Sequence, residues 1–158
     1  MNHGVSFDEV LTFQKQDDTK QEGGTEITPA HTSFYILDNQ PKAVVFITKT
    51  IFPDEPEGNE LYKYLFLIHE LAHVQDFRNC KYINWQTKES DLLKAEIYAE
   101  ISTLKFLSQQ KDDLHKVCRS IYASRLVDFQ RSENDLNQKV LKGVTKKFSL
   151  SKLKQWAI

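Results

Sequence analysis

Two histidines and a glutamate, His69, Glu70 and His73, are spaced so that they can act together on a metal ion and a water molecule. In a helix, positions four apart lie on one face, so both imidazoles can point at the same divalent cation. Glu70 follows His69 by about 100° around the helix axis, which keeps it off that face. It can still reach a water molecule at the ion and accept its proton. The spacing predicts two metal ligands, His69 and His73, and a general base, Glu70.

The same residues have a plainer interpretation, a buried helix in which ordinary hydrogen bonds satisfy each histidine. The surrounding stretch, FLIHELAHVQDF, argues against it because it is the most apolar part of the chain. Two imidazoles and a carboxylate buried there without a metal would need several separate polar partners. We therefore expect one zinc ion per chain. Two histidines and a carboxylate also accept other divalent ions, such as manganese, iron and cobalt.

A hydrolytic zinc site needs a third protein ligand, and residues 92–107 (LLKAEIYAEISTLKFL) are the best source. On a helix, Glu96 lies at the edge and Glu100 near the centre of an apolar stripe about 120° wide. Carboxylates in such a stripe are disfavoured unless a positive group meets them. We predict that Glu96 binds the metal and that Glu100 hydrogen-bonds to a ligating histidine. The alternatives are surface glutamates or a salt bridge to a lysine or arginine. The stripe itself consists of Leu93, Ile97, Ile101, Leu104 and Leu107.

Asp76 returns to the helix face of His69 seven positions later. Its short side chain would have to fold back along its own helix to reach an ion held by His69 and His73. A hydrogen bond to one of these ligands is therefore favoured over direct binding of the metal. The remaining alternative is a surface acid near the end of the helix.

The elements that must position these residues form a simple order along the chain. The segments SFYIL and AVVFITK flank the turn sequence DNQP and predict a hairpin. Helices are predicted over 7–16, 59–79, 90–110 and 112–130, with short ones starting at Ser132 with Asp135 and at Ser149. We therefore predict one α+β domain over 1–158, mostly helical, with a small antiparallel sheet beside the metal helix. The metal-site core is predicted within 33–110.

Charge and composition narrow the partners and the compartment. The chain has 21 basic and 22 acidic residues, and a net charge of -1 creates no field that attracts nucleic acid or a membrane. The basic C-terminal segment, residues 136–158, has six lysines and no acid, which indicates a solvated helical face rather than a nucleic-acid site. Two cysteines make no disulfide framework, and no stretch has the form of a membrane span or leader. We expect a cytoplasmic protein.

The chain resembles the gluzincin-type metallopeptidases, and within them the compact ImmA/IrrE-like group. The matching segments are HELAH at 69–73 and EIYAE at 96–100. The second is similar to the E-x-x-A-[ND] segment that carries the third ligand in those enzymes, with Glu100 in place of the usual Asn or Asp. The hairpin ahead of the metal helix also resembles that group, so the likeness covers 33–107. It implies a minimal zincin fold and a zinc endopeptidase whose substrate is a partner such as a helix-turn-helix transcriptional repressor.

Three functions are hypotheses at this point. The first is a regulatory zinc endopeptidase of narrow specificity that acts on a protein or peptide. The second is a non-catalytic zincin fold that binds a partner, and the third is an exported effector protease. Glu70 favours catalysis, because a pure binding module needs no base. Peptide hydrolysis also needs a donor to the oxyanion, and four candidates are not distinguished by the sequence: Tyr62, Tyr98, His115 and Tyr122.

Overall fold

The computed structural model describes residues 30–48, 56–87 and 90–157. Within them, two strands precede five helices and one 3-10 turn, so the fold is α+β and mostly helical, as predicted. None of the described helices combines the length and apolarity needed to cross a lipid bilayer. The helix predicted over 7–16 lies outside the described residues. The elements are β1 (Ala30–Leu37), β2 (Gln40–Ile47), α1 (Pro56–Asn79), α2 (Leu92–Gln109), α3 (Asp113–Asp128), the 3-10 turn Phe129–Arg131, α4 (Asp135–Val144) and α5 (Leu150–Trp156).

The two strands form an antiparallel hairpin that turns at Asp38 and Asn39. Both turn residues have positive φ angles, 50° and 60°. This is the two-residue turn whose twist matches that of the strands, and Asp and Asn tolerate it better than most residues. Gln40 and Pro41, predicted to belong to the turn, are instead the first residues of β2. Proline is tolerated there because a two-stranded sheet has only edge strands.

Helix α1 is covered on two sides, by the hairpin and by α2 and α3. Toward the hairpin, the ring of Phe77 packs on that of Phe34 with centroids 4.4 Å apart. Toward the helices, Leu65 is buried in the main core. A helix that is packed on both sides is apolar around most of its circumference. The double coverage therefore explains the apolar run around the histidines. Leu71 is the one large hydrophobic side chain of that run that is exposed.

The buried face of α2 is rotated slightly from the predicted stripe. Glu100 and two of the predicted leucines are buried, but three small residues are buried as well, Ala95, Ala99 and Thr103. The other members of the stripe pack at the edge of the core, namely Leu93, Ile97 and Ile101. Small side chains allow close approach of the neighbouring helix α1. The rotation brings Glu96 and Glu100 onto the side of α2 that contacts α1.

Polar side chains cap the helices that follow α1. Asp91 and Asp112 accept backbone hydrogen bonds at the starts of α2 and α3. Ser149 caps α5 as predicted. The prediction that Ser132 starts α4 is wrong, since Asn134 is the cap and Ser132 accepts the backbone N–H of Asn134 at 3.2 Å. Because Asn and Ser are equally good caps, sequence preference did not separate them.

The basic C-terminal segment supplies part of the hydrophobic core. Val140, Val144 and Leu153 are each at most 3% exposed, and they pack in one cluster with leucines of α2 and α3. Its lysines lie at the surface, where Lys139 pairs with Asp135. The segment thus has the solvated charged face that the sequence indicates and an apolar face turned inward.

We predict that Gly143→Ala destabilises the protein, although alanine is the better helix former. A Cβ at position 143 would lie 2.6 Å from Cγ1 of Ile97 on α2. Overpacking of this kind costs about 1–3 kcal/mol, against the ~1 kcal/mol that alanine gains over glycine in a helix. The free energy of unfolding, measured by urea denaturation, should fall. Adding Ile97→Ala removes the clash, so the double variant should be more stable than the two single effects predict together. A single variant more stable than the wild type would contradict the packing.

Candidate metal centre

The three predicted metal ligands come together where α1 contacts α2. Nε2 of His69 lies 3.2 Å from Nε2 of His73. Oε2 of Glu96 lies 3.5 Å from Nε2 of His69, and Oε1 of Glu96 lies 3.3 Å from Nε2 of His73. Both histidines are buried, whereas the side chain of Glu96 is 38% exposed. The cluster is therefore enclosed on the histidine side and open to solvent beside Glu96.

These separations fit ligands that surround one ion. Atoms bound to zinc at about 2.0–2.1 Å in a tetrahedral arrangement are roughly 3.3–3.4 Å apart. The three measured distances, 3.2, 3.3 and 3.5 Å, lie close to that value. Two imidazole nitrogens and one carboxylate oxygen are also a ligand set of catalytic zinc sites, which keep one position for water. Among residues 30–48, 56–87 and 90–157, this is the only group of three or more histidine, cysteine and acidic side chains whose ligand atoms all lie within 4.8 Å of one another.

Glu70 is buried, and the hairpin positions it. The hydroxyl of Thr32 on β1 donates a hydrogen bond of 2.6 Å to Oε2 of Glu70. Thr32 is on the inner face of its strand. Phe34 shares that face and packs on Phe77, which lies about two helical turns beyond Glu70. Thr32 is not identifiable from the sequence, because a threonine in a strand has no local pattern that marks it as a partner of a residue 38 positions away.

Glu100 is almost fully buried, at 1% exposure, but it does not bond directly to His69. Its Oε1 is 3.9 Å from Nδ1 of His69, too long for a hydrogen bond. Nδ1 instead lies 2.8 Å from the hydroxyl of Tyr122 on α3. Nη1 of Arg125, also on α3, is 3.0 Å from the Glu100 carboxylate. The structure thus realises the salt-bridge alternative for Glu100 and places Tyr122 between Glu100 and the histidine.

Asp76 is completely buried, so the alternative of a surface acid is wrong. Its Oδ1 accepts the backbone N–H of Tyr82 at 2.6 Å, which anchors the chain after α1. Its Oδ2 and Nδ1 of His73 are both buried without a hydrogen-bond partner within the described parts of the chain. Oδ2 of Asp76 is an acceptor, and Nδ1 of His73 is a donor when the ring binds a metal through Nε2. The two residues are one turn apart on α1. The hydrogen bond that Asp76 is predicted to accept from a metal ligand stays a prediction, with Nδ1 of His73 as its donor.

Tyr122 is excluded as the oxyanion donor. Its hydroxyl faces Nδ1 of His69, the nitrogen on the far side of the ring from the cluster. Of the other candidates, His115 is bonded to Asp112 and to Tyr64, and Tyr98 packs edge-on against Tyr82. Tyr82 and Tyr98 line a groove of about 520 Å³ on another side of α2.

The electrostatics of the cluster favour a cation. Burial alone would raise the pKa of Glu96, but hydrogen bonds to His69 and His73 and the charges of these rings hold it far below its usual range. Burial lowers the pKa of His69, and the negative charges of Glu100 and Glu96 outweigh burial, so the pKa is raised above 6.5. The raised pKa of His69 reflects the negative potential that the carboxylates create at this imidazole, which a divalent ion would also experience.

Comparison of the chain with models of protein families, with curated proteins and with solved structures finds no match. What this chain does must therefore be inferred from its own residues.

We predict that zinc binding releases a proton when the pH is below the pKa of His69. Because the pKa of His69 is raised above 6.5, its ring is protonated over a wider pH range and must lose that proton to bind metal. Zinc affinity should therefore rise as the pH increases toward the pKa of His69 and level off above it. Calorimetric titration in buffers of different ionisation enthalpy measures the proton release. His115→Gln, which removes a histidine outside the cluster, should leave it unchanged. Zinc binding without proton release at pH 6.5 would contradict the assignment.

Proposed function

We propose that this chain is a zinc-dependent endopeptidase in which His69, His73 and Glu96 hold the metal and Glu70 is the general base. One observation supports the proposal above all. Three ligand residues from two helices each offer an atom within 4.8 Å of the other two, and the residue directly after the first ligand is a buried, hydrogen-bonded carboxylate. Two ligands, a base and a third ligand in this arrangement suit hydrolysis by an activated water.

The residues of the chain divide the chemistry between them. A zinc ion bound here would lower the pKa of water toward about 7 and polarise the carbonyl of a peptide. Glu70 accepts the proton of the attacking water and passes it to the leaving amine. Thr32 fixes one oxygen of the Glu70 carboxylate, so the base keeps a single orientation throughout both proton transfers. His69 and His73, enclosed by the core, exclude solvent from the far side of the site.

The access to the cluster suits a peptide or protein substrate. Glu96 is the most exposed of the three ligands, so a substrate approaches from the side of α2. The likeness of the HELAH and EIYAE segments to the ImmA/IrrE-like group points to one protein partner, and a helix-turn-helix transcriptional regulator is the first to test. A binding module without catalysis is less favoured, because it has no use for a buried carboxylate held next to the ligands.

We predict that Glu70→Gln binds zinc normally and loses hydrolysis. The amide cannot accept a proton, and loss of a general base costs about 10²–10⁴-fold in rate. Zinc-loaded protein is incubated with a mixture of extended peptides, and new amino termini are counted by mass spectrometry. The matched control is Glu60→Gln, on the same helix but with a side chain 77% exposed, which should keep full activity. Cleavage by Glu70→Gln at the wild-type rate, or wild-type cleavage that a chelator does not stop, would contradict the mechanism.

Changing Thr32 should separate base positioning from metal binding. Thr32→Val removes the hydrogen bond to Glu70, and bonds to charged groups contribute about 1.5–3 kcal/mol. We expect kcat to fall by roughly tenfold or more. Zinc affinity should not change, since the hydroxyl of Thr32 donates to the base and not to a ligand. Thr32→Ser retains the hydroxyl and should behave as the wild type. Equal losses in both variants would show that strand packing matters rather than the hydrogen bond.

A further inference from the structure

The two ring nitrogens of His69 face different partners. Nε2 faces His73 at 3.2 Å and Glu96 at 3.5 Å. Nδ1 points the other way, toward the hydroxyl of Tyr122 at 2.8 Å. Tyr122 belongs to α3 and is only 2% exposed. This hydroxyl is therefore held inside the core, where bulk water does not compete for the contact.

The contact between Tyr122 and His69 has two chemically distinct forms. A neutral imidazole carries one N–H, and a ring that binds metal through Nε2 must carry it on Nδ1. In that form, Nδ1 donates to the tyrosine oxygen. In the other form, the hydroxyl donates to Nδ1 and the ring proton sits on Nε2, which then cannot bind a metal. The group that attracts the hydroxyl proton therefore decides which ring nitrogen is free.

Glu100 is the group that attracts the hydroxyl proton. Burial and then the negative charge of Glu100 raise the pKa of Tyr122 well above its usual value, so the phenol keeps its proton, and an ionised carboxylate can only accept such a proton. Nη1 of Arg125 balances the charge of Glu100 at 3.0 Å and 3.2 Å from its two oxygens. The guanidinium of Arg125 also lies 5.3 Å from the centre of the Tyr122 ring. With its proton directed at Glu100, the oxygen of Tyr122 is left to accept from His69.

We propose that Tyr122, Glu100 and Arg125 are positioning residues that fix the proton of His69 on Nδ1 and so present Nε2 as a metal ligand. The proposal rests on the metal-binding function proposed above and extends it to residues of α3. In place of a carboxylate in direct contact with the histidine, this chain inserts a phenol. At 3.9 Å from Nδ1, Glu100 cannot replace that phenol without moving.

The zinc affinity of Tyr122→Phe tests the proposal. Removal of the hydroxyl leaves Nδ1–H without an acceptor, and loss of such a partner costs about 10–100-fold in metal affinity. Kd is measured with zinc alone, in competition with a chromophoric chelator. Tyr64→Phe is the matched control, because the hydroxyl of Tyr64 also lies 2.8 Å from an imidazole nitrogen, that of His115. It should bind zinc as the wild type does. Equal zinc affinity of the two variants overturns the proposal.

Glu100→Gln tests the direction of the hydroxyl proton. Glutamine has the shape of glutamate, but its amide can donate to the tyrosine oxygen and turn the hydroxyl proton toward His69. We expect a weaker zinc affinity, by roughly the same factor as for Tyr122→Phe. Wild-type affinity in Glu100→Gln would show that the carboxylate does not set the proton, and would overturn its role.

The tautomer itself can be measured in the wild-type protein, so the test does not depend on the folding of any variant. In zinc-loaded protein labelled with ¹⁵N at histidine, NMR should show a slowly exchanging proton on Nδ1 of His69. A proton on Nε2 overturns the proposal. If the wild type binds no zinc, the proposed function fails and this inference fails with it. If the wild type binds zinc and cleaves peptides while Tyr122→Phe binds zinc equally well, only this inference fails.

Discussion

The burial of several carboxylates next to two imidazoles is the constraint on which the rest of the structure depends. An isolated charge in a protein interior is strongly unfavourable unless it is paired or neutralised. Here Glu100 has Arg125 as its partner, and Glu70 accepts the hydroxyl of Thr32. Glu96 faces both histidines, and a divalent cation at that point would balance its charge while leaving the imidazoles neutral. Each of these three glutamates thus has its own compensation, and each compensation comes from a different element.

The packing of the helices and the hairpin brings these compensating groups to one place. Small residues on α2, Ala95 and Ala99, are fully buried and let α2 lie close to α1. Gly143 does the same on the opposite side, where α4 meets Ile97. Helix α3 then contributes Tyr122 and Arg125 to one side of the site, and the hairpin contributes Thr32 to the other side. The core of leucines and valines joins α2 to α5 into one cluster, which makes the position of α2, and so of Glu96, rigid.

Local periodicity was enough to predict the residues that share a helix face. The pairing of His69 with His73 and the burial of Glu100 follow from 3.6 residues per turn, whereas Glu96 was placed near the histidines because a hydrolytic zinc site needs a third ligand. Contacts between distant elements were not predictable in this way. Tyr122 is 53 residues from His69, and Thr32 is 38 from Glu70. A buried tyrosine and a strand threonine occur in every core, so their types carry no signal. The partner of Glu100 was left open for the same reason, because Arg125, which forms the salt bridge, lies on another helix.

The hairpin has a consequence for how the site can be controlled. It packs on α1, and its Thr32 hydroxyl holds the carboxylate of Glu70. The proposed metal ligands are held by helices, whereas the orientation of Glu70 is held by the two-stranded hairpin. A displacement of the hairpin would break the hydrogen bond that orients Glu70 and so stop the proposed proton transfer while the cation stays bound. Its return would restore the hydrogen bond and the transfer. In the proposed site, metal binding would thus depend on the helices and proton transfer on the hairpin, so a protein with metal bound would be inactive whenever the hairpin is displaced.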